Sequence, residues 1–189
     1  VGQIYLMGYA LQVLKNVIEG QEVPLPGAVD DFGEKLINGL LLWVISFIYF
    51  LPITLISICS GAGSGIFTAA LEDSEAAGPV LASWGGCFAC ISIVLGVLIS
   101  LLMPFVWSKF AESGQFSDAF KLGEIWRMFT SNLGPTIVVM LVSWLAFLVA
   151  GIVGAFLCLI GLIFTMFYAQ LITAFLYGSL YRQAKAKTL

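Results

Sequence analysis

Histidine is absent from this chain of 189 residues. That removes the usual ligand of haem and of catalytic zinc, and the commonest general base. Charge is scarce as well. Only 10% of residues are Asp, Glu, Lys or Arg, against about 25% in soluble domains, while 60% are hydrophobic and the mean hydropathy is +1.04. From Met128 to Tyr181, fifty-four residues pass without one charged side chain. No ionisable Asp, Glu, Lys or Arg falls inside any of the apolar spans delimited below. Ion-coupled transport, proton pumping and voltage sensing depend on such groups at membrane depth, so all three are disfavoured. No intramembrane catalytic dyad or metal cluster can be assembled either.

What the chain does have is apolar length. A bilayer's hydrocarbon core is about 30 Å thick and takes roughly 20 helical residues to cross. Pro135 to Tyr181 therefore suits two spans, joined by a turn among Gly151, Gly154 and Gly161. Two earlier runs predict spans at about Leu36–Cys59 and Val80–Val106. The expected fold is all-α: a polytopic integral membrane protein with four complete transmembrane helices. Residues 1–19 are apolar with a polar end at Lys15, Asn16 and Glu19, and Gly20 suits a helix C-cap. They read either as a truncated first span or as a short interfacial helix.

The connections are informative. Two prolines in Gln21–Pro26 forbid helix there. From Asp30, an amphipathic interfacial helix is expected, with Phe32, Leu36, Ile37 and Leu40 on one face. A second is expected within Lys109–Ser131, with Phe116, Phe120, Trp126 and Phe129 on its apolar side. Ser60–Ser64 (SGAGS) interrupts the apolar pattern and reads as a loop, continuing into the acidic residues Glu72, Asp73 and Glu75. Alternating the spans puts loops 15–35 and 108–132 and the C-terminus on one side. All eight Lys and Arg (15, 35, 109, 121, 127, 182, 185, 187) then share that side, which the positive-inside rule makes cytoplasmic.

The two cytoplasmic loops resemble each other. Lys15-(x)4-Gly20-Gln21 matches Lys109-(x)4-Gly114-Gln115, and Phe32-Gly33-Glu34 matches Leu122-Gly123-Glu124, with four extra residues in the first copy. A parallel internal repeat is expected within a single membrane domain, residues 1–189: repeat 1 at about 1–60, repeat 2 at about 79–156, and an extra C-terminal span at about 158–181. Equivalence of the copies would make Val1 the middle of a span, which favours the truncated reading of residues 1–19.

Gly8-Tyr9, Gly20, Leu25-Pro26, Asp31-Phe32-Gly33 and Gly39, with Gly114-Gln-Phe116, Ala119-Phe120 and Glu124-Ile-Trp126, carry a resemblance over nearly the whole chain. The chain resembles domain-of-unknown-function family 4013, a group of prokaryotic polytopic membrane proteins. The resemblance implies a complete first span in relatives and a prokaryotic cell membrane as the location. It implies no catalytic residues. Gly27-Ala28-Val29 departs from the family pattern, in which an aromatic follows the proline.

Candidate sites are few. Cys87-x-x-Cys90 lacks the second pair, histidine or βαβ context that redox and metal motifs need, so packing is the expectation. Cys59 and Cys87 fall at the outer ends of neighbouring spans, where a disulfide is conceivable. Ser60–Gly65 looks faintly phosphate-cradling but lacks a GK[ST] ending. Glu34 and Glu124 hold equivalent places on the interfacial helices, suited to surface ion pairs or a helix N-terminus, and less to cation binding or acid–base work. Gln170 is the most polar side chain deep in a span and calls for a hydrogen-bond partner on another helix. Trp126 marks an interface. The expectation is thus a non-enzymatic accessory or scaffold subunit of a larger membrane complex, with no catalytic, cofactor or metal site. Its partners would be the lipid bilayer and other membrane subunits, and not nucleic acid. The alternative is a transporter or handler of a neutral or lipid-like substrate, its path lined by Gln170 and threonines.

Overall fold

The computed structural model describes residues 2–21, 25–26, 32–70, 77–156 and 160–188. All regular structure among them is helical: α1 (Gly2–Glu19), α2 (Phe32–Ala70), α3 (Ala77–Ser113), a 3-10 turn (Phe116–Phe120), α4 (Leu122–Ser131), α5 (Leu133–Phe156) and α6 (Ile160–Thr188). Four helices are long and apolar enough to cross a bilayer, over Phe32–Ile66, Gly78–Ser113, Leu133–Phe156 and Gly161–Lys187. At most 33% of the most apolar stretch of each is buried within the protein. Such exposure of Leu, Ile, Val and Phe suits hydrocarbon as the solvent and not water. The chain is a multi-pass helical membrane protein.

Two compact units make up the chain, one of Val1–Ile45 with Leu101–Leu189, the other Ser46–Ser100. In the first, α6 packs along α5 and α1, and α4 rests against both α5 and α6. Glycine sets the closest approaches. A Cβ on Gly154 would lie 2.6 Å from Thr165 Oγ1, and one on Gly178 would lie 2.8 Å from Val17. Gly154 therefore serves helix contact inside α5 and not the expected turn, and residues 157–159, between α5 and α6, lie outside the described residues. In the second unit, a Cβ on Gly63 would meet the Trp84 indole at 2.7 Å. Cys59, Cys87 and Cys90 are exposed free thiols in this unit, with no disulfide joining them.

Three expectations are corrected. Ser60–Ser64 is helix, because α2 runs unbroken to Ala70. Its small polar side chains return their hydrogen bonds to the preceding turn, as Ser64 Oγ does to the Gly61 carbonyl at 2.8 Å, so the backbone needs no loop. Phe116 and Phe120 do not lie on the helix expected within Lys109–Ser131. The first residues of that stretch complete α3, Gly114 ends it with a φ of +65°, and Phe116–Phe120 form a 3-10 turn ahead of α4. Nor does Trp126 share the buried side of α4, where Ile125, Met128 and Phe129 pack. It is 49% exposed.

Candidate functional site

The charged residues of the first unit gather where α1, α3, α4 and α6 end. Gly20 and Gly114 make this possible. Both adopt positive φ (+77° and +65°), a conformation open to glycine at little cost, and both stop a helix. The Gln21 amide bonds back to the Asn16 carbonyl at 3.0 Å, and the Gly114 amide to that of Phe110 at 2.9 Å.

From the end of α3, Lys109 reaches across to Glu124 on α4 at 2.6 Å. This ion pair holds the Glu124 carboxyl below its ordinary range. Just past the 3-10 turn, Lys121 bonds Asp118 at 2.8 Å, lowering the Asp118 carboxyl and raising the Lys121 ammonium. One turn beyond Lys109, Glu112 accepts a hydrogen bond from the Tyr181 hydroxyl at 2.6 Å and an ion pair from Lys185. Tyr177, a turn before Tyr181, completes the seam: its carbonyl accepts the Ser108 hydroxyl at 3.4 Å, and its ring meets Trp107 edge-on at 5.9 Å. Tyr177, Tyr181 and Lys185 thus face α3 at four-residue spacing, which joins α3 to α6.

Between the ends of α1, α2 and α3 lies a cavity of about 200 Å³, mostly polar, lined by Gln12, Lys15, Glu34 and Asn38 with Phe110 and Gly114 opposite. Glu34 and Lys15 therefore share one cavity, whereas their counterparts Glu124 and Lys109 are joined directly. Gln12 donates to Asn16 Oδ1 at 3.2 Å. The cavity has no nucleophile–base pair, and no cluster of three or more metal-ligating side chains occurs among the described residues. The arrangement can hold charges apart or together; it offers no evident covalent chemistry.

Tyr9 is the centre of the neighbouring junction. Its hydroxyl donates to the Pro26 carbonyl at 3.0 Å, its ring lies 5.8 Å from that of Phe167, and the Lys35 ammonium sits 5.5 Å from it. Beside it, α1 and α2 touch backbone to backbone. A Cβ on Gly8 would fall 1.7 Å from the Lys35 carbonyl oxygen, and one on Gly39 would fall 2.0 Å from that of Ile4. Gly8, Tyr9, Pro26 and Gly39, scattered in sequence, form one contact.

Of the residues singled out by sequence, Glu34 reaches the cavity, Glu124 the Lys109 pair, and Trp126 the outer side of α4. Gln170 is half-buried on α6, away from these groups, and no described residue hydrogen-bonds its side chain. Glu112, Tyr181 and Lys185 were not anticipated. They are separated by 69 and 73 positions, and the only signal is that both segments close apolar runs on the same side of the membrane.

The profile of a family described as "Protein of unknown function (DUF4013)" matches residues 1–159. Neither a curated protein nor a solved structure matches the chain.

Proposed function

The chain belongs to the family of unknown function DUF4013, and from that premise we propose that it is a non-catalytic accessory or scaffold subunit of a prokaryotic membrane complex, with α4 as its docking element on the cytoplasmic side. The observation that supports this is the outward face of α4. Ile125, Met128 and Phe129 anchor the helix inwards, and the Lys109–Glu124 pair fixes its rotation. Leu122, Trp126 and Arg127 are left exposed, Leu122 and Trp126 at 55% and 49%. Trp and Arg are the side chains most enriched among binding hot spots, and a pre-fixed helix loses little freedom on docking. The eight basic residues on one side support cytoplasmic placement of α4 and the C-terminus. The two matched loops support descent of the two halves from one parallel repeat.

The test is purification in mild detergent followed by mass spectrometry of whatever travels with the chain. A partner in fixed ratio is expected, and Trp126→Ala with Leu122→Ala should release it while the chain stays folded. A lone monomer or homo-oligomer overturns the reading, as does a turnover activity carried by Glu34 or Glu124.

A further inference from the structure

A second feature of the first unit points to a ligand. Where α1 and α6 end together, a groove of about 530 Å³ opens between them. Its size is that of a small-molecule site, about 300–1,000 Å³. One part is polar, with Arg182, Gln183 and Gln21; the other is apolar, with Val17 and Phe175. The floor is rigid, because Gly178 lets Val17 of α1 press directly on α6. The turn at Gly20 also closes on the guanidinium: a Cβ there would lie 3.4 Å from Arg182 Nη1.

Arg182 is the first charge after fifty-four uncharged residues, which puts its guanidinium where the apolar part of α6 gives way to water. That is the depth of lipid phosphates. Lys109, Lys121 and Lys185 are all committed to carboxylates, whereas Arg182 meets none among the described residues. Gln21 donates one amide hydrogen to Glu19 at 3.2 Å, and Gln183, next to Arg182 in sequence, is a second neutral donor on the groove wall. A guanidinium binds phosphate oxygens in pairs, and basic pockets at helix ends hold anionic headgroups.

We propose that the Arg182 groove binds one anionic phospholipid, its phosphate on Arg182 and Gln183 and its chains along Val17 and Phe175. A free phosphate would satisfy the polar part and leave the apolar part bare, and it is the apolar part that selects a lipid.

The experiment uses the full chain in mild detergent, titrated with dioleoylphosphatidylglycerol and followed by native mass spectrometry. Dioleoylphosphatidylcholine and glycerol 3-phosphate are the comparison probes. The phosphatidylglycerol should bind about fivefold more tightly than the phosphatidylcholine. Arg182→Gln should erase that preference and Arg182→Lys should restore part of it. Ala186→Phe, at an exposed position on the groove wall, should weaken both lipids. Lys121→Gln, the same charge change outside the groove, should alter nothing. Equal binding of the two lipids, an unchanged Arg182→Gln, or an equal loss in Lys121→Gln would each overturn the proposal. Displacement of the lipid by glycerol 3-phosphate at equal concentration would overturn the lipid as occupant and assign the groove to a soluble phosphate.

Discussion

The passage from α1 into α2 and the passage from α3 into α4 and α5 begin alike and end differently. Each leaves its first helix through a glycine at positive φ, Gly20 or Gly114, and enters the next through an apolar residue, a glycine and a glutamate. Beyond that, matched positions diverge. Counting from these landmarks, Gly8 corresponds to Leu102 and Gly39 to Phe129. The first pair brings two backbones into contact. The second is buried by its side chains, Leu102 at 8% exposure and Phe129 at 6%. A glycine contact gains close approach, whereas large apolar side chains gain buried area.

The next divergence is at Leu42 and Asn132, both buried. α2 runs straight through Leu42, but the chain breaks at Asn132. Pro135 favours the break, although Pro52 and Pro104 sit inside unbroken α2 and α3. In a continuous helix Pro135 would leave the Ser131 carbonyl without its amide and clash with it, whereas in the first turn of α5 no such bond is needed. Asn132 then serves both helices. Its amide bonds the Phe129 carbonyl at 3.1 Å, and its own carbonyl accepts the Thr136 hydroxyl at 2.7 Å.

The largest effect should come from the glycine junction. Gly39→Leu drives a side chain into the backbone of α1 and should cost more than about 3 kcal/mol, read as loss of folded protein in thermal unfolding in detergent. The same change at Gly123, whose Cβ would meet nothing within 4 Å, should leave unfolding nearly unmoved. Equal sensitivity at both would erase the contrast. Next comes the α3–α6 seam: Tyr181→Phe leaves Glu112 with one bond fewer and should cost about 1.5–3 kcal/mol, measured by the same unfolding. Smaller again is the break, where Thr136→Val should cost about 1 kcal/mol by removing the hydroxyl from the Asn132 carbonyl.

The smallest effect is one of acidity. Lys109 holds the folded Glu124 carboxyl below its unfolded range, so the stability it contributes is present above that range. It is lost as pH falls through the lowered folded value. Glu124→Gln should therefore flatten the acid side of a stability–pH profile, and an unchanged profile would mean the pair contributes nothing in solution.

Much of this fold is legible in the sequence. The four spans follow from apolar length, and Gly20 was readable as a helix end because little but glycine takes positive φ there cheaply; Gly114 was found only as its match. Ser60–Ser64 was misread because SGAGS signals a loop in water, whereas serines that bond their own preceding turn keep α2 intact. Phe116 and Phe120 fall outside the helix expected within Lys109–Ser131, and Trp126 points outward, because tertiary packing, not periodicity, decides which apolar residues of α4 point inward. Glu34, Glu124 and Trp126 were found as motif positions. The Glu112–Tyr181–Lys185 contact was not, since nothing local links residues so far apart.

The glycine junction also covers Lys35, only 4% of which is exposed, under the ring of Tyr9. An amine-reactive reagent added to the folded protein will therefore modify Lys35 only in those moments when α1 lifts away from α2. Its labelling rate, set against that of the exposed Lys187, is a clock for that opening, and its slowness is a direct measure of how tightly the first helix is held.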